Sequence, residues 1–189
     1  MVQLNLFGPA EKTVVFDLET QRSFQDVGGR DKMHLLGMSV GVLYDYNSQR
    51  FYSFYEADAS RLVDELLTAT RVIGFNIEQF DYPVLTAYRP DVNFKKIPTL
   101  DLLKEFSRMS GFRIGLGNLA ETTLGVGKSA DGLAALKWFK EGRLDLIEKY
   151  CRDDVDVTRR LYEFGRDHHF VKFREKRTGE VISVPVEWT

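Results

Sequence analysis

Residues 13–19, Thr-Val-Val-Phe-Asp-Leu-Glu, form an apolar, β-branched run that closes on two acids. Valine and phenylalanine at this density favour a strand. With Val14, Val15 and Phe16 consecutive, both faces of that strand are apolar, which places it in the middle of a sheet. Side chains two apart in a strand project to one face, so Asp17 and Glu19 point the same way. Two like charges at the end of a buried strand repel each other and resist loss of water. Either a bound cation or a solvated strand end relieves both costs.

Around this strand the pattern predicts an α/β fold. Strand periodicity returns at 34–44, where Met38, Val40 and Val42 alternate with smaller residues. It returns again at 50–55, through Phe51 and either Phe54 or Tyr55, with residues 45–49 as the hairpin turn between. Asp58 or Ser60 caps a helix running to about residue 70, with Leu62, Leu66 and Leu67 inward. Residues 71–75 read as a short buried strand. Residues 78–88 read as a helix, with Pro83 in its first turns or kinking it. Residues 97–103 lead into a helix ending near 109. Helices follow at 116–124, 133–140 and 144–164, the first stopped by Gly125 and the last by Gly165. Residues 170–174 and 180–186, around Thr178-Gly179, form a β-hairpin. Strands first, then a strand among helices, then helices give a mixed five-stranded sheet flanked by helices, and no repeat. Residues 1–12, with Gly8-Pro9, read as a leader. Residues 13–189 then form one domain that includes the hairpin at 170–188.

Net charge narrows the partners. A formal charge of −2 over 189 residues argues against coating nucleic acid by bulk electrostatics. Clustered carboxylates depress that sum, and bound cations would reverse the local sign. Lys172, Arg174, Lys176 and Arg177 concentrate near the end, as either a solvated hairpin face or a phosphate-contacting patch. No apolar run approaches the ~20 residues of a membrane span. Cys151, the one cysteine, excludes an internal disulfide and a cysteine zinc cluster, and a cytoplasmic setting is expected.

Two further acids stand in local patterns. Asp81 lies six residues beyond Phe75, near the start of a helix, where it faces back toward the strand ends or simply complements the helix dipole. Asn76 caps that helix or orients the site by hydrogen bonding. Tyr150 and Asp154 are four apart on a helix and so share a face. Leu144, Ile147, Cys151, Val155 and Leu161 supply its buried side. Asp153 and Asp156 fall at other angles, where Arg152, Arg159 or Arg160 can pair with them. Clustered carboxylates suit hard cations such as Mg²⁺ or Mn²⁺.

Together these patterns resemble the DEDD superfamily of 3′-to-5′ exonucleases, which have a ribonuclease H-like fold. Asp17-Leu18-Glu19 matches its Asp-x-Glu motif, and Asn76-x-x-x-Phe80-Asp81 its second motif. Tyr150-x-x-x-Asp154 matches the third motif in its tyrosine subgroup. The other subgroup has a histidine there, whereas His34, His168 and His169 lie elsewhere. The resemblance covers residues 13–165 and extends to polymerase proofreading domains and bacterial helicase-associated members. It implies two divalent ions, Mg²⁺ or Mn²⁺, held by Asp17, Glu19, Asp81 and Asp154. It also implies that Tyr150 orients the attacking water, and that nucleoside 5′-monophosphates leave from single-stranded 3′ ends, with DNA favoured over RNA. An RNase D-like exoribonuclease shares the same site. A binding module with vestigial catalysis is the alternative from another class.

Substrate and partner contacts follow from proximity to these motifs. Leu18, Thr20, Phe75, Asn76 and Phe80 lie near the expected terminal nucleotide. Phe24, Met33 and His34 are candidates for base stacking, and Phe112, Arg113 and Lys128 for the approach. Gly125-Val-Gly-Lys-Ser129 resembles a P-loop ending, but Thr122 stands where that loop needs glycine and a helix precedes it. Gln3-Leu4-Asn5-Leu6-Phe7 resembles a bacterial sliding-clamp-binding peptide, in which Leu6 and Phe7 would fill an apolar pocket. An extra edge strand is the other reading of that segment.

Overall fold

A computed structural model describes residues 11–127 and 132–188. Its main sheet has five strands in the order β3-β2-β1-β4-β5. They are β1 (Thr13–Thr20), β2 (Met38–Asp45), β3 (Arg50–Tyr55), β4 (Arg71–Gly74) and β5 (Thr99–Asp101). β1 pairs antiparallel with β2 and parallel with β4, so the acidic strand is central, as its two apolar faces require.

The helices are α1 (Phe24–Val27), α2 (Ala59–Leu67), α3 (Asp81–Leu85), α4 (Leu102–Ser110), α5 (Leu116–Leu124), α6 (Gly132–Lys140) and α7 (Leu144–His168). Among the described residues none is long and apolar enough to cross a membrane. Alternation in β1 splits the core into two layers. Val14, Phe16 and Leu18 pack with Leu62, Val63 and Leu66 of α2. Val15, on the other face, packs with Ile147, Cys151 and Val155 of α7. Asp17 and Glu19 share the parity of Val15 and therefore look toward α7.

Residues 170–188 form a second, two-stranded sheet, β6 (Phe170–Arg174) with β7 (Val181–Pro185). It packs on its own domain. Asn118 of α5 exchanges two hydrogen bonds with the Arg174 backbone, at 2.9 and 2.8 Å. Thr123 does the same with the Lys172 backbone, at 2.9 Å each way. These side chains satisfy the outer edge of β6, which would otherwise be free to pair.

Five local expectations change, one of them Leu67, expected inward on α2 but 46% exposed. The second strand starts at Met38 and not at 34, because Arg30–Leu35 winds into 3₁₀ turns. The helix expected at 78–88 shrinks to α3, since residues 76–80 are held in a loop described below. Asp58 stands at the start of α2 but makes no side-chain cap bond there. Gly165 does not stop α7, which continues to His168. A Cβ at Gly165 would collide with the ring of Trp188, itself fully buried, so glycine here makes room for packing. His168 Nδ1 donates instead to the Phe164 carbonyl at 3.0 Å, and His169 ends the helix with φ of 62°.

Candidate active site

Three of the predicted acids converge. Ligand oxygens of Asp17, Glu19 and Asp154 all lie within 4.8 Å of one another, each residue half-buried. β1 delivers the first two from one face, and α7, crossing that face, delivers the third. Tyr150, one turn before Asp154, is buried with its phenol beside the Asp154 carboxylate. Cys151 is a core thiol. Its Sγ lies 3.3 Å from the Asp17 carbonyl and 3.7 Å from Asp17 Oδ2, which helps seat the first acid.

Asp81 enters from the other side of β1. It is 2% exposed at the start of α3, and its Oδ1 accepts from the Leu18 backbone N–H at 3.1 Å. Leu18 is thus the residue that ties the first and second motifs together, through its backbone. Its side chain points away into the first core layer. Thr20 is buried too, its hydroxyl donating to the Arg22 carbonyl at 3.0 Å.

The electrostatics follow from this crowding. Burial, reinforced by Asp81, Glu19 and Asp154, raises the Asp17 carboxyl well above its ordinary range. Burial likewise pushes Asp81 up to about 8, against the lowering effect of the Leu18 N–H. Asp17 and Asp81 in these positions disfavour their own charge, and a cation among the acids reverses that preference. The all-oxygen donor set fits hard divalent ions. Burial and the neighbouring Asp154 and Glu19 also raise the Tyr150 phenol above its ordinary value. Tyr150 therefore remains a neutral donor at physiological pH and is no base.

The loop carrying the second motif is held by a residue the sequence patterns do not single out. Asp101, 3% exposed at the end of β5, accepts four backbone N–H groups. Asn76 and Glu78 donate from the loop at 2.8 and 3.1 Å, and Leu103 and Lys104 donate from the first turn of α4 at 3.1 and 3.2 Å. Asn76 takes the left-handed conformation, φ 71°, and does not cap α3 with its side chain. Its Oδ1 instead accepts from Arg113 Nη2 at 2.6 Å, while Arg113 Nη1 donates to Gln79 at 3.0 Å. Asp101 follows a β-rich triplet and precedes an apolar helix, so a cap could be read from sequence; its second pair of donors could not.

Other expected contacts spread out. Phe75 and Phe80 are half-buried; Phe80 meets Phe24 edge-on at 5.9 Å, and Arg30 stacks over Phe24 at 4.9 Å. Phe112, still partly exposed, packs on Phe106 and Phe173. Asp156 pairs with Arg159 at 2.7 Å, and Arg152 lies over Phe51. Met33 and His34 line a groove of about 960 Å³ floored by Tyr82 and Phe94. That groove contains none of the four acids, and its charged walls, Arg30, Lys95 and Lys104 against Asp31, Glu78 and Asp91, cancel. A smaller cavity of about 220 Å³, between α5 and α7, abuts Asp154. Gly125 ends α5 as expected, so a helix and not a strand leads into residues 125–127. Lys128 and the Gln3, Leu4, Leu6 and Phe7 peptide lie outside the described residues.

With this geometry in view, comparison with known proteins is informative. The model of the RNase_H superfamily matches residues 14–164. Among solved structures, the chain is similar to a family B DNA polymerase from the hyperthermophilic archaeon Pyrobaculum calidifontis. The TM-score is 0.62 at 16% identity, over 84% of this chain and 25% of the polymerase. The chain thus spans about a quarter of that protein's length, and the likeness is one of fold. No curated protein matches the sequence.

Proposed function

The chain belongs to the RNase_H superfamily, and on that footing we propose that it is a metal-dependent nuclease that removes nucleotides from 3′ ends. The preferred substrate is single-stranded DNA, and the products are nucleoside 5′-monophosphates. One observation carries this reading: Asp17, Glu19 and Asp154 gather within 4.8 Å, while Asp81 is bonded to the backbone between the first two. These four residues would hold two divalent cations, Mg²⁺ or Mn²⁺. Bound there, such ions supply Lewis-acid stabilisation and an activated water.

The chain's own groups do the rest. Leu18 N–H fixes the Asp81 carboxylate against β1. Tyr150, neutral and close to Asp154, presents its phenol beside the acids, where it orients water by hydrogen bonding. Arg113, braced by Asn76 and Gln79, stands by the second motif as a contact for the substrate backbone. Thr20, Phe75, Asn76 and Phe80 surround the terminal nucleotide, and Lys128 meets a phosphate. The 3–7 segment adds docking on a sliding clamp. A buried free thiol at Cys151 accords with a reducing, cytoplasmic setting.

The test is a time course on 5′-labelled single-stranded DNA and RNA of one sequence, with Mg²⁺ or Mn²⁺. The parent protein produces a ladder shortening from the 3′ end, faster on DNA. Asp17→Ala produces none. Cleavage that persists in Asp17→Ala, or that cuts circular single strands, refutes the reading.

A further inference from the structure

Tyr150 is held by more than its own helix. Trp138 of α6 sets its indole against the Tyr150 ring, centroids 6.2 Å apart and planes at 65°, an edge-on contact. α6 lies across the end of the site, packing on both α7 and β1. Its C-terminal end is fixed twice. The Arg143 N–H donates to the Trp138 carbonyl at 2.8 Å, and Gly142 takes φ of 72° to turn the chain into α7. The Ser23 hydrogen bonds hold the carboxyl of Asp26 in α1 below its ordinary value, and the Lys140 charge adds a smaller lowering. The indole is half-buried within the second core layer, so it is a fixed wall.

We propose that Trp138 is a positioning residue that holds the Tyr150 phenol beside Asp154, and that α6 is the brace by which it does so. This rests on the nuclease reading of the site. A tyrosine has two side-chain torsions, and a hydrogen bond from its hydroxyl restrains only the tip of the ring. A second ring standing against the phenol removes the rotation that would swing the hydroxyl away from the carboxylates. Trp138 carries no carboxylate to offer a metal, and the contact by which it reaches the site is the one with the Tyr150 ring.

A double-mutant cycle tests this. Trp138→Ala should lower kcat for 3′ trimming by about tenfold, an ordinary coupling for two touching side chains, with KM little changed. Trp138→Phe, which restores a ring wall, should recover most of it. In a Tyr150→Phe background Trp138→Ala should cost nothing further, and an equal loss in both backgrounds overturns the proposal. Two readouts need no turnover. The Mn²⁺-induced rise in Tm should survive Trp138→Ala, and its loss overturns the proposal. In ¹³C-tyrosine-labelled protein the Tyr150 ring signal, assigned with Tyr150→Phe, should broaden or average in Trp138→Ala and stay sharp in Trp138→Phe. An unperturbed Tyr150 signal in Trp138→Ala overturns it too. If the parent trims nothing from 3′ ends, the nuclease reading fails while the ring signal still decides whether Trp138 positions Tyr150.

Discussion

Asp101→Asn is the most demanding perturbation, because it changes almost no volume. In the native protein Oδ1 accepts from Asn76, Leu103 and Lys104, and Oδ2 accepts from Glu78. An asparagine that keeps its oxygen at the Oδ1 position turns an amide NH₂ toward the Glu78 N–H, donor against donor. That bond is lost, and a part-buried N–H left unpaired costs about 1–3 kcal/mol. The other three bonds lose their charge assistance, roughly 1 kcal/mol each. The neutral amide in turn avoids the desolvation of a buried carboxylate, which offsets about 1–2 kcal/mol. The net destabilisation is about 2–5 kcal/mol. For a domain of this size that lowers Tm by roughly 4–20 °C. Because two of the donors belong to the loop before Asp81, trimming activity should fall as well. Thermal melting followed by circular dichroism measures the first effect. A Tm within about 2 °C of the parent's refutes the idea that this carboxylate holds the second-motif loop.

Three other perturbations probe different links. Asp17→Asn removes one charge from the crowded site, so it should raise the Tm of metal-free protein at about pH 8 while abolishing the rise produced by Mn²⁺; a fall in metal-free Tm contradicts the repulsion deduced for the cluster. Asp81 has a folded-state value of about 8 against an ordinary 3.8, so folding favours its protonated form. That contribution is complete below about pH 4 and is lost as pH rises toward 8; metal-free Tm should decline from about pH 5 to 8, and Mn²⁺ should flatten or invert the decline. A metal-free Tm independent of pH over that window removes Asp81 as a buried titrating acid. Gly165→Ala should cost about 1–3 kcal/mol in urea melts despite alanine's better helix propensity, because its Cβ meets the Trp188 ring. A stabilised variant shows that propensity outweighs that packing.

Local periodicity accounts for what was legible in the chain. The alternation of residues 13–20 alone placed Asp17 and Glu19 together, whereas the Leu18 side chain, expected beside the terminal nucleotide, lies in the opposite core layer. The four-residue spacing alone placed Tyr150 with Asp154 on one helix face. Apolar runs announced the central strand, the mixed sheet and the terminal hairpin. These features depend on residues a few positions apart, which share one stretch of backbone and hence one geometry. Tertiary structure decided the remainder. Asp101 reaches back 25 residues to Asn76, and that pull truncates the helix expected after residue 78. Trp188 lands on Gly165 and turns a helix stop into a helix interior. Trp138 reaches Tyr150 only because the turn at Gly142 folds α6 back on α7. Each of these contacts joins distant segments through a path that no local spacing encodes, so each became visible only when the chain had closed on itself.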